Sequence, residues 1–301
     1  MTDALYHYSA KVWLALVKSA AAWPPGTRNR MAKLAAFVLW HAVPSRRHIT
    51  LTNLRLCFPE KSEKEREALA RRCYFCLARA AIDHGTLFKG TKEEVQKLVE
   101  FSPNVQKVLL NAENRPLIIV SPHFCGLDAA GIALNTVVRG IGIYQKQTND
   151  VWDKAVLEGR KRFSDPVLIQ KNADGSGLDL RKILRAMREG LPFYYLPDMD
   201  YGIKNAIFVD FFGVPAATID MVGRLARVSK AKVIFCATEM RESGYYLHLS
   251  DIWEDFPSGD PRADTERVTR ETEKWIRKFP EQYMWTHRRF KTRPEGEKSV
   301  Y

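Results

Sequence analysis

From residue 116 onward, short predominantly apolar runs alternate with stretches of helical length, and this alternation constrains the fold more than any other feature of the chain. The run 116–121 (Pro-Leu-Ile-Ile-Val-Ser) precedes a helical stretch at 126–138, and the run 141–145 precedes one at 151–163. The segment 178–188 spaces as a helix before the run 192–196, and 217–228 does so before the run 232–238. A run that is apolar at every position has no face to give to water, so it belongs to a sheet covered on both sides. Strands joined by helices of this length pair in parallel. The spacing therefore predicts an α/β fold with a mostly parallel central sheet flanked by helices, an antiparallel edge strand at 245–249 and a closing helix at 264–279.

The first hundred residues read differently. Ser62 with Glu65, and Thr91 with Glu94, have the Ser/Thr-x-x-Glu pattern that satisfies two orphan N–H groups at a helix start. They predict a helix to about Leu87 and a shorter one after Thr91. At 100° per residue, Asp3, His7, Lys11 and Lys18 share one stripe of a helix over 4–23, while Leu5, Val12, Trp13, Leu16, Val17, Ala20 and Trp23 cover the other side. Only Leu14 breaks the pattern. Such a helix packs on the protein's own core or lies in a membrane interface, and flanking tryptophans with a basic polar stripe suit the second. Through residue 50 there are seven Lys/Arg against one Asp, a local net of +6 in a chain whose total is +12.

No charge-free apolar run reaches the roughly 18 residues that a spanning helix needs; the longest, 34–45 and 116–127, have 12 each. Mean hydropathy of −0.30 excludes a polytopic membrane protein. The beginning of the chain lacks a signal-peptide layout, and five cysteines at irregular spacing fit reduced thiols of the cytosolic compartment. The organisation expected is a membrane-associating helical region at 1–45 and a main domain at 46–301. The latter comprises a helical part (46–100) and an α/β core with a basic tail (101–301).

Chemistry-bearing residues collect where a strand of a parallel sheet ends and a helix begins. His123 and Asp128 occupy that place after the run 116–121. Residues five apart on a continuous helix point about 140° from each other, so the two meet only through a turn, which Pro122 and Gly126 can supply. A carboxylate beside an imidazole sets its tautomer and raises its basicity, as a general base requires. Alone, the pair reads first as a strand-end histidine and a helix-start aspartate that only cap backbone. Cys125 between them invites a thiol nucleophile. Asp198 and Asp200 follow another strand, where Asp-x-Asp either shapes a turn or holds a cation for a glycosyltransferase, although two carboxylates are few for a metal site. Arg288, Arg289, Lys291 and Arg293 beside Trp285 and Phe290 form a basic, aromatic-interleaved patch. Cys73 and Cys76 lie on a helical core stripe.

The pattern His123-x-x-x-x-Asp128 resembles the signature of the lysophospholipid acyltransferase superfamily. The tail from Pro280 through Tyr283-Met-Trp-Thr-His-Arg-Arg-Phe290 to Gly296 is similar to that of its lipid A late acyltransferase branch (lauroyl/myristoyl acyltransferases). Tyr195-Leu-Pro-Asp-Met-Asp-Tyr-Gly202, Phe211-Phe-Gly-Val-Pro-Ala-Ala-Thr218, Arg47 and Asn53-Leu-Arg-Leu-Cys-Phe-Pro-Glu60 resemble that branch too, so the likeness extends over nearly the whole chain. It implies a glycerolipid-acyltransferase-like fold and an O-acyltransferase that moves a fatty acyl group from an acyl-carrier-protein thioester to a hydroxyl of a lipid A precursor. His123 would then be the base, oriented by Asp128. Asp198 and Asp200 would orient substrate or His123, and backbone N–H groups near Gly126 would face the oxyanion.

No metal or organic cofactor is implied. The implied partners are the acyl carrier protein, an anionic glycolipid acceptor and a membrane surface, at the cytoplasmic face of a bacterial inner membrane, with no nucleic acid. The chain departs from the branch at Tyr144-Gln145-Lys146-Gln147, where many members carry Tyr-Arg-Pro. Lys146 offers a point charge there without bidentate geometry. Arg288 and Arg289 would meet acceptor phosphates. Other readings are acylation of another polar lipid, a metal-dependent glycosyltransferase using Asp198 and Asp200, and a basic membrane-binding protein without catalysis.

Overall fold

The structure, a computed structural model, describes residues 3–106, 109, 116–170, 177–204 and 206–301, with side chains from residue 10 onward. Five helices come first: α1 (Asp3–Ser19), α2 (Pro25–Ala42), α3 (Pro44–Cys57), α4 (Glu63–Lys89) and α5 (Lys92–Leu98). Both capping boxes form as the sequence predicts, at Ser62 with Glu65 and at Thr91 with Glu94. The α/β part then runs β1 (Val99–Phe101), β2 (Leu117–Val120), α6 (Leu127–Leu134), β3 (Ile141–Tyr144), α7 (Asp150–Lys161), β4 (Val167–Gln170), α8 (Leu180–Arg188) and β5 (Phe193–Tyr195). It continues with β6 (Ala206–Phe211), β7 (Val214–Ile219), α9 (Met221–Ser229), β8 (Lys232–Met240), β9 (Tyr245–Leu249) and α10 (Pro261–Lys278).

The main sheet has the order β1-β9-β8-β2-β5-β3-β4, parallel throughout except between β8 and β9. Alternate residues of its central strands feed two separate cores, as the pleat requires. Ile118 and Val120 of β2, with Val233 and Phe235 of β8, pack under α8, α9 and α10 through Ile183, Met187, Leu225 and Val268. Leu117, Ile119, Ile234 and Cys236 point the other way, onto Ala129 and Ala133 of α6, Leu87 of α4 and Ala155 of α7. This is why β2 is apolar at every position.

Three expectations change. The strand β9 is antiparallel to β8 but is not the edge, because β1 pairs with it in parallel on its outer side. The segment 217–228 is not one helix: Ala217–Ile219 belongs to β7, which forms an antiparallel hairpin with β6, and the helix begins at Met221. The turn between them places Phe212 and Gly213 at positive φ (55° and 76°), the geometry of a two-residue hairpin loop. The strand β4 was not foreseen at all. Ser102-Pro103 has the sequence of a helix cap with proline in the first helical turn, and the residues 107–115 to which it leads lie, except 109, outside the described residues.

At the other end of the chain, α1 crosses α4 closely enough that a Cβ on Gly85 would stand 2.3 Å from the Val17 carbonyl oxygen. The residues that pack there include Ala10 and Leu14, the one position that broke the sequence pattern. Val12, Trp13 and Leu16 of the apolar stripe face outward, with Trp13 63% exposed. On α2, Met31, Leu34, Phe37 and Val38 do the same. Among the described residues no helix is long and apolar enough to cross a membrane. A buried ion cluster fastens this layer: Asp83 accepts from Arg28 (3.1 Å), Arg79 (2.8 Å) and the Tyr245 hydroxyl (2.9 Å).

Candidate active site

Sheet register builds the site. Val120 at the end of β2 is paired with Tyr195 at the end of β5, and the Ser121 N–H donates to the Tyr195 carbonyl. Three residues beyond each strand end stand His123 and Asp198. One carboxylate holds the histidine twice: Asp198 Oδ1 meets Nδ1 at 2.6 Å, and Oδ2 accepts the His123 backbone N–H at 2.8 Å. An ionised carboxylate only accepts, so Nδ1 carries the proton and Nε2 is left as the basic nitrogen. Burial works to raise the Asp198 carboxyl, yet the His123 imidazole and its hydrogen bonds, with one from Tyr283, hold it at about 2. The His123 side chain is 15% exposed, so the site is recessed but open.

The tail after α10 wraps this pair. Met284 N–H donates to the His123 carbonyl (2.9 Å) and Cys125 N–H to the Gln282 carbonyl (2.7 Å), while Phe124 and Tyr283 form an isolated bridge. The His287 ring stands 5.2 Å from that of His123, edge to face. Burial and the neighbouring His123 push His287 down to about 4, so it is neutral at pH 7. Asn53 Nδ2 binds the carbonyls of Trp285 and His287, both at 2.7 Å, which gives the Asn53 motif its place: α3 clamps the tail against the site. Asp200 ties down the next stretch, accepting from Thr292 N–H (2.6 Å), Thr292 Oγ1 (2.8 Å) and Gly202 N–H (2.9 Å).

The carboxylate partner of His123 is thus Asp198 and not Asp128. Pro122 and Gly126 do turn the chain, but the turn sends His123 toward the β5 loop while α6 carries Asp128 to the other face of the sheet. There Asp128 Oδ1 receives both Nε (3.0 Å) and a terminal nitrogen (2.6 Å) of Arg160 from α7, and Oδ2 meets His84 Nε2 from α4 (3.2 Å). Burial opposes its charge, yet Arg160 and His84 hold the carboxyl well below the usual carboxylate range. Asp128 and Arg160 form the polar rim of a cavity otherwise lined by Ile119, Leu127, Leu134, Ile141, Leu168 and Leu196. No motif in the sequence singled out His84 or Arg160. Their spacing on α4 and α7 is ordinary, and only the tertiary packing brings them to Asp128.

A strand-end histidine held by a buried carboxylate can act as a general base in several reaction classes, and comparison with known proteins decides the class. Residues 3–292 match the family described as bacterial lipid A biosynthesis acyltransferase. The chain belongs to that family. It is 32% identical over 262 residues to the lipid A biosynthesis palmitoleoyltransferase of Escherichia coli (strain K12), covering 85% of this chain and 82% of the relative. It is 31% identical to the lauroyltransferase of the same organism (85% and 82% covered), and 28% identical to its myristoyltransferase (98% and 90%). This lipid A acyltransferase family member is therefore an acyltransferase.

The remaining expected site residues of this acyltransferase scatter. Arg289 is 3% exposed and donates to the Ala217 carbonyl (2.8 Å) and Thr218 Oγ1 (2.6 Å), which corrects its expected contact with substrate phosphate. It pins the tail to the β6–β7 hairpin. Arg288 is exposed, its guanidinium 5.9 Å from the Tyr301 ring. Lys146 is exposed two residues beyond β3, 4.0 Å from Asp150. The Asp198 and Asp200 oxygens are committed to protein donors rather than turned jointly toward one point, so their geometry does not favour the cation-holding reading. All five cysteines are buried free thiols, and burial pushes Cys125 well above its ordinary value, which disfavours the thiolate a covalent route needs.

Proposed function

We propose that this enzyme transfers a fatty acyl group from an acyl-carrier-protein thioester to a hydroxyl of a lipid A precursor, with His123 as general base and Asp198 as its positioning partner. Nε2 takes the proton of the acceptor hydroxyl as its oxygen bonds to the thioester carbonyl carbon. The tetrahedral oxyanion collapses, the C–S bond breaks, and the protonated imidazole returns the proton to the departing thiolate. Asp198 fixes the tautomer and balances the transient imidazolium. In this reading the Gly126 N–H faces the oxyanion, since the Cys125 N–H is donated to Gln282 and the Leu127 N–H to Phe124. The single observation carrying the reading is the two-point hold of Asp198 on His123.

The outward apolar residues of α1 and α2 supply the second half of the proposal: residues 1–45 lie in the cytoplasmic interface of a bacterial inner membrane, where an anionic glycolipid acceptor resides. Exposed Arg46 and Arg288 at the tail suit its phosphates. The test is acyl transfer by wild type and His123→Ala from a panel of acyl-carrier-protein thioesters, read by product mass. An added acyl mass lost in the folded variant supports the reading. Transfer to a phospholipid or aminolipid instead would keep the mechanism and change the acceptor.

A further inference from the structure

Between α2 and α4 lies a groove lined by Lys33, Phe37, Trp40, Arg71, Arg72 and Phe75. Its floor is the buried Trp40, packed edge to face on Tyr74 at 5.3 Å. Arg71 is committed: its guanidinium sits 4.5 Å over the Trp40 ring and pairs with Glu67 at 2.6 Å. Lys33 on one wall and Arg72 on the other are exposed, and among the described residues neither has a carboxylate partner. Phe37, one turn from Lys33, is 61% exposed and continues into Leu34 and Val38. Two uncommitted cations over an aromatic floor thus adjoin a strip of outward apolar side chains.

We propose that this groove is a headgroup site for an anionic phospholipid of the bilayer, with Lys33 and Arg72 flanking the phosphate and the acyl chains lying along Leu34, Phe37 and Val38. The proposal rests on the membrane reading above and adds lipid selectivity to it. Juxtaposition is the argument. A soluble anion would use the cations but leave the apolar strip bare, whereas a phospholipid satisfies both, and cations beside aromatic rings are the residues suited to headgroup depth. A second exposed cationic stripe, Arg181, Arg185 and Arg188, lies on α8, which packs chiefly on β3, β4 and α9, whereas α2 and α4 build the groove.

That stripe provides a control of equal charge. Vesicle flotation with phosphatidylcholine alone, and with phosphatidylcholine mixed with phosphatidylglycerol, compares wild type, Lys33→Glu/Arg72→Glu and Arg181→Glu/Arg188→Glu. Wild type should prefer the anionic vesicles by about tenfold or more. The groove variant should lose that preference while keeping its affinity for neutral vesicles, and the α8 variant should keep both. Retained preference in the groove variant, or equal loss in both variants, would overturn the proposal in favour of attraction by net charge. A raised KM for the acceptor in detergent micelles would also overturn it, by assigning the groove to the substrate. Wild type that binds neither vesicle would sink the membrane reading itself, a distinct outcome.

Discussion

His84 stands between two acceptors: its Nδ1 faces the Ala80 carbonyl at 2.7 Å and its Nε2 faces Asp128 at 3.2 Å. A carbonyl and an ionised carboxylate both accept, so this arrangement favours the imidazolium, in which both ring nitrogens donate. Burial alone would lower its pKa, but the Asp128 hydrogen bond and charge together with the Ala80 carbonyl raise it overall.

A raised folded-state value has a defined sign. The unfolded ring titrates at about 6.5, so the stabilisation from His84 is complete below that pH and is lost as pH rises through the higher folded value. Denaturant unfolding of wild type should therefore show stability declining as pH rises from about 6.5. His84→Gln should be flatter over the same window. An identical slope in both proteins would remove His84 as its source.

The Asp83 cluster predicts a purely structural loss. Asp83→Asn leaves Arg28 and Arg79 facing a neutral amide in the interior, and breaking a buried pair on one side costs about 3–5 kcal/mol. The melting temperature should fall by many degrees, while folded enzyme at low temperature should retain its acyl-donor KM. A change below about 1 kcal/mol, the range of exposed pairs, would mean the cluster is effectively solvated.

Cys125 should be dispensable for chemistry. With its thiol pushed up by burial, Cys125→Ala should keep acyl transfer within about threefold of wild type, whereas losing a nucleophile costs orders of magnitude. Single-turnover assays with labelled donor should trap no acylated protein. A covalent acyl adduct that disappears in the variant would replace direct transfer with a two-step route.

The sheet was legible because parallel strands must be apolar on both faces, and the helix starts were legible because Ser62 and Thr91 carry their caps in three following residues. The hairpin was not. Val214-Pro-Ala-Ala-Thr-Ile219 reads as the entry to a helix, and its turn forces the bulky Phe212 to positive φ. That conformation is held by remote groups: the Phe212 N–H donates to Glu273 (2.8 Å), and its ring meets Arg277 and Phe58. The site divides in the same way. His123 and Asp198 each follow a recognisable strand, but their meeting depends on the Val120–Tyr195 register across 75 residues, which no local spacing encodes. Asp128 lay nearer in sequence and offered a local geometry that the strand-to-helix turn does not adopt. Arg160 and His84 were invisible because ordinary helical positions acquire their chemistry only through packing.

The account stands most directly on His123 and Asp198 acting as one unit, and single-turnover acyl transfer by wild type, His123→Ala, Asp198→Asn and the double variant measures it. Each single variant should lose roughly 10²–10⁴-fold in rate, and the double variant should be no slower than His123→Ala, because a carboxylate that only positions the ring has nothing left to position. Asp198→Asn at wild-type rate, or losses that multiply in the double variant, would contradict the claim.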